Sequence, residues 1–128
     1  GRYDFSASRL REAEPVPDFL LAPREAAAAF AGLEPEALAQ AMVTEYAPGA
    51  GIGWHRDRPE FDKVVGLSFA SEATMRFRRK RGEGWERAAL PLAPGSAYLL
   101  DGLARQDWQH SIVPGETLRY SVTFRSLR

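Results

Sequence analysis

The 128-residue sequence contains no cysteine. This absence excludes disulfide bonds, thiolate zinc sites, iron–sulfur clusters and cysteine nucleophiles. It also excludes a disulfide-linked partner, and it fits a reducing compartment. We therefore expect a cytoplasmic protein.

Long hydrophobic runs are also missing. The longest uninterrupted apolar run, Ala26–Ala31, is mostly alanine, whereas a membrane-spanning helix needs roughly 20 apolar residues. No charged-then-apolar signal segment opens the chain. The sequence therefore predicts no membrane association.

Net charge is absent too, because 17 basic side chains balance 17 acidic ones. The charges are unevenly distributed: residues 1–62 carry six basic and eleven acidic groups, and residues 63–128 carry eleven and six. The densest cluster, Arg76–Arg81, has five positive charges in six residues. Such a cluster can bind phosphates, although most charge runs are only solvated surface.

The length and composition fit a single domain over residues 1–128, which we expect to be monomeric. Apolar residues make up 45% of the chain and charged residues 27%, as in an ordinary globular protein. No repeat or low-complexity linker divides the sequence. Because the first residue is Gly1 rather than Met, we expect an N-terminal piece to be missing.

Residues 1–42 are predicted to form a helical and irregular N-terminal segment. Proline residues break any helix within residues 1–22. Pro23 and Gly32 flank a predicted short helix, Arg24–Ala31. A second helix, Glu36–Met42, is predicted after Pro35, with Leu38 and Met42 on one face.

The hydrophobic period changes to two at Val43, which indicates strands. Eight are predicted: Val43–Tyr46, Ile52–His55, Val64–Phe69, Thr74–Arg79, Trp85–Leu92, Ser96–Leu100, Asp107–Val113 and Leu118–Leu127. Short strands separated by Pro/Gly turns favour a sandwich or barrel, of which the double-sheet jelly roll is the eight-stranded form. The fold class is thus mainly β (α+β), with a jelly-roll core over residues 43–128 and short N-terminal helices packed on one sheet.

The only two histidines are candidate metal ligands. His55 and Asp57 are two residues apart, so on a strand their side chains point to the same face. His110 lies on another predicted strand. Two imidazoles and one carboxylate form the facial triad that binds non-haem Fe(II), and the same ligands would also suit a hydrolytic zinc site.

The last predicted strand alternates strictly between polar and apolar residues. Arg119, Ser121, Thr123 and Arg125 share one face, and Tyr120, Val122 and Phe124 share the other. If the apolar set packs in the core or against the N-terminal helices, the polar set faces a cavity. Two arginines in a cavity require anions, and a dicarboxylate would satisfy both.

Together these residues resemble the AlkB family of Fe(II)- and 2-oxoglutarate-dependent dioxygenases, from about Thr44 to Arg125. The matching pieces are Tyr46-Ala-Pro-Gly, His55-x-Asp57, Trp108-Gln-His110 and Arg119-Tyr-x-x-Thr-Phe-Arg125. Their order and spacing agree with that family.

The resemblance implies a double-stranded β-helix in which His55, Asp57 and His110 bind iron. It implies that Arg119, helped by the Tyr46 hydroxyl, binds the distal carboxylate of 2-oxoglutarate, and that Arg125 lies near the iron-chelating 2-oxo acid end of this co-substrate. Thr44 and Ser121 are the expected further co-substrate contacts. They stand where many members have Asn, and both can still form hydrogen bonds.

The resemblance further implies oxidative dealkylation of N-alkylated bases in DNA or RNA, with Fe(II) as the metal cofactor and with 2-oxoglutarate and O₂ as co-substrates. Expected products are succinate, CO₂ and formaldehyde. Trp54, Phe61 and Tyr3 are candidates for base stacking, and Arg76 and Arg78 for phosphate contacts. Two departures concern the substrate. Pro59 replaces an acid that repair members carry near the target base, and only the end of the upstream substrate lid is expected, with Tyr3 as one of its aromatic residues.

Other readings of the same residues remain open. The same oxygenase chemistry could act on a protein side chain or a small molecule. A jelly-roll module without catalysis could use Arg119 and Arg125 to bind an acidic ligand. A zinc hydrolase would need a nearby base, for which Glu60 is the candidate.

Overall fold

A computed structural model describes the backbone of residues 8–13 and all atoms of residues 16–128, so the predicted contact residue Tyr3 lies outside the described part. Nine strands are found there: β1 (Ser8–Ala13), β2 (Leu38–Tyr46), β3 (Ile52–His55), β4 (Phe61–Phe69), β5 (Ala73–Arg81), β6 (Gly84–Leu92), β7 (Ala97–Leu100), β8 (Gln109–Ile112) and β9 (Arg119–Leu127). Two α-helices accompany them, α1 (Leu21–Ala31) and α2 (Leu103–Gln106).

The strands form two antiparallel sheets that face each other. The larger sheet has the order β1-β2-β9-β4-β7, and the smaller one has the order β3-β8-β5-β6. The chain crosses repeatedly between the sheets, so that neighbours within a sheet are mostly distant in sequence. This arrangement confirms the predicted jelly roll.

Helix α1 covers the outer side of the larger sheet. Its buried Ala27 and Ala28 pack in one apolar cluster with Leu38, Val65 and Phe124 from three strands of that sheet. The helix ends at Gly32, whose φ of 71° is the left-handed conformation that glycine adopts readily. The predicted packing of α1 on one sheet is confirmed, although the helix begins at Leu21, three residues before the predicted start.

The second predicted helix, Glu36–Met42, is wrong. Only a 3-10 turn, Pro35–Ala37, precedes strand β2, so the first core strand begins at Leu38. A β-bulge between Leu38 and Gln40 shifts the register against β9. Because of this bulge, Leu38 packs under helix α1 while Met42 lines the space between the sheets. The two residues, four apart in sequence, therefore lie on opposite faces of a bulged strand and not on one face of a helix.

Two further expectations need correction. Residues 8–13 are not irregular, because they form strand β1 along the edge of β2. The predicted strand Asp107–Val113 is shorter, since helix α2 ends just before it and pairing is limited to Gln109–Ile112. The remaining strands agree with prediction to within three residues at each end.

A second apolar cluster lies on the inner side of the smaller sheet, where Met75, Leu92 and Ile112 are buried. Between this cluster and the inner side of the larger sheet lies a cavity, which holds the candidate site. Among the described residues, no helix combines the length and the apolar composition that a membrane crossing requires.

Candidate active site

The polar faces of two neighbouring strands form one wall of the cavity. Strand β9 contributes Arg119, Ser121, Thr123 and Arg125, and strand β2 contributes Gln40, Met42, Thr44 and Tyr46. On the opposite side of β9, Val122 and Phe124 pack in the cluster under α1. The predicted division of the last strand into a cavity face and a core face is confirmed.

The three predicted metal ligands meet at one end of this cavity. His55 and His110 are direct cross-strand partners in the β3–β8 pair, and their rings are 4.2 Å apart. Asp57 follows β3, and its Oδ1 atom lies 3.4 Å from His55 Nε2 and 3.6 Å from His110 Nε2. One ligand atom from each residue lies within 4.8 Å of the others, so these groups can share a single ion.

The backbone holds the His55 ring in one orientation. His55 Nδ1 lies 3.0 Å from the Gly53 carbonyl oxygen, which places the ring proton on Nδ1 and leaves Nε2 as the free ligand atom. Burial lowers the pKa of His55, but the hydrogen bonds with the Asp57 carboxylate and the Gly53 carbonyl outweigh burial, so the pKa lies above 6.5. In the charged form of His55, Nε2 also carries a proton, and this proton must leave before a metal ion binds.

Asp57 is held by an arginine on its other oxygen. Arg125 donates from Nε to Asp57 Oδ2 at 3.0 Å, and its Nη2 forms an ion pair with the same oxygen at 3.0 Å. Burial raises the pKa of Asp57, but the hydrogen bond from His55 and the charge of Arg125 outweigh it and hold the pKa well below the usual range. The carboxylate is thus ionised, and Oδ1 faces the imidazoles.

His110 is the most enclosed of the three ligands. Burial lowers its pKa to about 4, and the charge of neighbouring His55 adds to this effect. Its imidazole is therefore neutral near pH 7, as a metal ligand must be. Two neutral nitrogen donors and one carboxylate oxygen are a donor set that suits Fe(II), so these residues fit the ion that the sequence predicted.

Arg119 is a buried cation without an acidic partner in the described chain. Only 4% of the residue is exposed. Its Nε donates to Ser68 Oγ at 3.1 Å, its guanidinium lies 4.9 Å from the centre of the Tyr46 ring, and its Nη1 has no hydrogen-bond partner within the described residues. A buried charge in this state requires an anion, so the residue fits the carboxylate of a bound diacid.

Two tyrosines complete the polar part of the cavity. Burial raises the pKa of Tyr46 and of Tyr98, so both phenols stay protonated and can donate hydrogen bonds. The Tyr98 ring lies directly over Gly66 of the adjacent strand, where any Cβ atom would overlap the ring. Gly66 therefore makes room for this side chain.

The remaining predicted site residues fall into two groups. Thr44 and Ser121 line the cavity as expected, and Phe61 is buried in its wall rather than free to stack on a solvent-exposed base. Trp54, Arg76 and Arg78 are not in the cavity wall: the two arginines alternate along β5 with Met75, which is in it, and their guanidinium groups lie on Trp54. Their role in substrate binding stays a prediction.

Sequence reasoning missed two residues that support the site, Ser68 and Arg105, and assigned no contact to Thr123, which it had placed on the cavity face. Ser68 holds Arg119, and Thr123 Oγ1 accepts a hydrogen bond of 2.9 Å from Arg125 Nη1. Arg105, buried on α2, donates to the carbonyl oxygens of residues 58, 61 and 62, in the segment that follows Asp57. Ser68 could have been found from the sequence, because it is a polar residue within an apolar strand. No feature of the local sequence indicates a role for Arg105.

Comparison with known proteins gives a family and a distant relative. The family model described as "2OG-Fe(II) oxygenase superfamily" matches residues 1–125. An uncharacterized protein of Acanthamoeba polyphaga mimivirus is 32% identical over 102 residues, which cover 69% of this chain. Because the match covers 48% of the viral protein, the chain spans about half the length of that relative.

Solved structures share the fold at low sequence identity. A recombinant oxalate oxidase in complex with glycolate superposes with a TM-score of 0.54 at 15% identity, over 69% of this chain and 41% of that one. Hazelnut (Corylus avellana) vicilin superposes with a TM-score of 0.60 at 10% identity, over 94% of this chain and 30% of that one. These likenesses establish the double-sheet β fold and nothing about activity.

The family model extends over almost the whole chain, and the three metal-ligand candidates converge where such an enzyme needs them. The family's cofactor set is Fe(II), 2-oxoglutarate and O₂. The chain belongs to the 2OG-Fe(II) oxygenase superfamily.

Proposed function

We propose that this protein is an AlkB-like oxygenase that removes N-alkyl groups from nucleobases at the expense of 2-oxoglutarate and O₂. The observation that carries the proposal is the buried guanidinium of Arg119, which has no acidic partner among the described residues and lines the same cavity as His55, Asp57 and His110. A buried, unpaired cation in the same cavity as a metal site is the arrangement that an enzyme with a diacid co-substrate requires.

The metal would be held by His55 Nε2, Asp57 Oδ1 and His110 Nε2. Three protein ligands on one side of an ion leave positions for a co-substrate and for oxygen. Bound Fe(II) and 2-oxoglutarate together supply the oxidation of a C–H bond by O₂, coupled to decarboxylation of the 2-oxo acid. Arg125 neutralises Asp57 and fixes which oxygen faces the ion.

The far carboxylate of 2-oxoglutarate would bind Arg119. Its free Nη1 is positioned to donate to an anion, and Ser68 keeps the guanidinium in place through Nε. Tyr46 adds a protonated hydroxyl beside it. Charge-assisted hydrogen bonds of this kind are about twice as strong as neutral ones, so this end of the cavity selects a diacid over a monoacid.

Apolar side chains exclude water from the rest of the cavity. Phe61 and Val64 of β4 and Met75 and Ile112 of the smaller sheet line it. Excluding water strengthens the electrostatic contacts within the site and suppresses side reactions of the oxidant. The chain thus provides orientation and a dry environment.

Hydroxylation of an N-methyl group gives a carbinolamine, which breaks its C–N bond to release formaldehyde and leaves N–H on the base. One oxygen atom of O₂ enters formaldehyde and the other enters succinate. An N-alkylated nucleobase is the substrate that the AlkB-like motifs favour, and the five cations within Arg76–Arg81 provide charge for its phosphates.

The test is turnover of a methylated oligonucleotide, followed by succinate and formaldehyde in the same reaction. We expect equal amounts of both products, dependent on Fe(II) and 2-oxoglutarate. Asp57→Asn should abolish both products, whereas Asp62→Asn, a matched change at a half-exposed carboxylate near the site, should leave them unchanged. Absence of succinate from the wild-type protein under all conditions would overturn the proposal. Succinate without formaldehyde would retain the oxygenase and overturn the nucleobase substrate.

A further inference from the structure

The smaller sheet carries a group of cations and indole rings on the side away from the cavity. Side chains alternate across a sheet, so the cross-strand pairs Arg78–Arg87 and Lys80–Trp85 lie on the side opposite Met75. Together with Arg76 and Trp54 they form what we call the outer basic face: Trp54, Arg76, Arg78, Lys80, Trp85 and Arg87.

The cations of this face lack acidic partners in the described part of the chain. Within the described residues, the side chains of Arg76 and Arg87 form neither a hydrogen bond nor an ion pair. The side chain of Arg78 donates to the neutral amide of Gln109. The hairpin has two acids: Glu86 projects to the other side, where Arg79 and Arg81 donate to it at 2.8 Å and 3.1 Å, and Glu83 in the turn accepts from Lys80 only through its backbone carbonyl. The outer basic face is therefore uncompensated.

The cations of this face repel one another, which lowers the stability of the sheet, and the fold does not require them there. Arg78 and Arg87 are directly opposite each other on neighbouring strands, and like charges in that position destabilise a sheet. A bound anion would remove the repulsion. A series of such cations along β5 has the spacing of alternate strand residues, roughly 6.6 Å, and so presents a line of positive charge to an extended polyanion.

Two indole rings add a different chemistry to the same face. The guanidinium of Arg78 lies between Trp54 and Trp85, at 4.4 Å and 4.3 Å from the ring centres. Lys80 Nζ also lies 5.1 Å from the centre of the Trp85 ring, and Trp85 is still 42% exposed, so part of this ring remains accessible to a ligand. Cations along a groove or face, combined with exposed aromatic rings, are typical of surfaces that bind single-stranded nucleic acid through phosphate contacts and base stacking.

The outer basic face continues toward the metal end of the fold. Lys80 also lines an open groove with Arg56, Arg79 and Arg81, which contains one acid, Asp107, at 3.7 Å from Arg79. Arg56 lies between the metal ligands His55 and Asp57 in sequence. A strand that follows β5 from Arg76 to its end is therefore led to the segment that carries the metal ligands.

We propose that the outer basic face is a docking surface for single-stranded nucleic acid, separate from the cavity in which the reaction takes place. Phosphates contact Arg76, Arg78 and Arg87, and a base stacks on Trp85. An anionic membrane is the weaker fit, because the indole rings are packed flat against cations instead of projecting as insertable side chains. The inference deepens the proposed function by naming how its polymer substrate is held, but its test requires neither iron nor turnover.

The experiment measures binding of a fluorescein-labelled oligothymidylate of about 15 nucleotides to the metal-free full chain by fluorescence anisotropy. The test variant is Arg76→Gln/Arg87→Gln, which removes two charges without removing a hydrogen bond of the described fold. The matched control is Arg24→Gln/Lys63→Gln, which removes the same charge from helix α1 and strand β4. Trp85→Leu tests stacking, and vesicles of anionic phospholipid and polyglutamate are tested in parallel.

We expect at least about tenfold weaker binding for Arg76→Gln/Arg87→Gln, together with a salt dependence of log affinity that is shallower by about 1.4, since each phosphate contact on a single strand contributes roughly 0.7. Trp85→Leu should weaken binding severalfold with the salt dependence unchanged. Equal affinities for the test and control pairs would overturn the proposal, as would equally tight binding to vesicles or polyglutamate.

The two proposals fail separately. Oligonucleotide binding on this face without any product from methylated bases would retain the docking surface and overturn the proposed substrate. Turnover that is unaffected by Arg76→Gln/Arg87→Gln, with no loss of binding, would retain the enzyme and overturn the docking surface.

Discussion

Arg125 directs two donors, Nε and Nη2, to a single oxygen of Asp57, each at 3.0 Å. The other oxygen, Oδ1, is left facing His55 and His110 at 3.4 Å and 3.6 Å. The two arginines of strand β9 therefore have different tasks: Arg125 already has its anion within the protein, and Arg119 has none in the described chain.

Removing Arg125 should destabilise the metal-free protein. The side chains of Arg125 and Asp57 are each only 8% exposed, and breaking a buried ion pair by deleting one partner typically costs about 3–5 kcal/mol. We expect Arg125→Gln to lower the free energy of unfolding in urea by about 3 kcal/mol. Arg128→Gln is the control, because its ion pair with Asp62 is 44% and 39% exposed and should contribute less than about 1 kcal/mol. Similar losses in both variants would contradict the assigned role of Arg125.

Replacing Arg119 should have the opposite effect on stability. A buried guanidinium without an acidic partner is costly, and an apolar residue of similar length avoids that cost. We expect Arg119→Met to raise the free energy of unfolding of the ligand-free protein by about 1–3 kcal/mol and to abolish binding of 2-oxoglutarate.

Calorimetry with 2-oxoglutarate and with pyruvate, in the presence of Mn(II), separates this effect from a general loss of the site. Pyruvate has the 2-oxo acid but no second carboxylate, so its affinity should be the same for wild type and Arg119→Met. A parallel loss of both ligands would show that Arg119 does not act on the far carboxylate.

The metal ligands could be predicted from the sequence because local spacing contained the information. His55 and Asp57 are two residues apart, and the chain offers only one other histidine, His110. Strict alternation on β9 likewise placed Arg119 and Arg125 on one face. The alternation on β9 survives in the fold, whereas Asp57 lies just beyond the end of β3 and its carboxylate still meets both imidazoles.

The parts that could not be predicted depend on contacts between distant segments. The bulge in β2 is a register effect set by pairing with β9, and it reversed the meaning of the Leu38–Met42 spacing. Arg105 reaches the Phe61 carbonyl across 44 residues, and Tyr98 fits only because Gly66 lies beneath its ring. The local sequence around these residues does not predict such distant partners.

Adding one methyl group at Gly66 should disturb the cavity. The new Cβ atom would overlap the Tyr98 ring, which must then move into the space that borders Tyr46. We expect Gly66→Ala to lower the free energy of unfolding by about 1–3 kcal/mol, as overpacking of a core does, and to weaken 2-oxoglutarate binding. Gly115→Ala is the control, because no atom lies within 4 Å of its added Cβ. An unchanged thermal midpoint for Gly66→Ala would contradict the close packing of Tyr98.

Metal affinity should fall in a single step as the pH decreases through the raised pKa of His55. Metal binding needs both imidazoles neutral. The hydrogen bonds with the Asp57 carboxylate and the Gly53 carbonyl raise the pKa of His55, so below that raised pKa the ring must lose a proton when the ion binds. The pKa of His110 is lowered to about 4, so His110 is already neutral there. Below the pKa of His55, the affinity for Mn(II) should therefore fall about tenfold per pH unit.

Calorimetric titration of Mn(II) in buffers of different ionisation enthalpy checks both parts of this prediction. It gives the affinity and the number of protons released at each pH. We expect the release to approach one proton per ion below the pKa of His55 and to exceed one only near pH 4, where His110 also becomes protonated. Release of two protons near pH 6 would mean that His110 is charged in the metal-free protein, and that its burial does not keep the imidazole neutral.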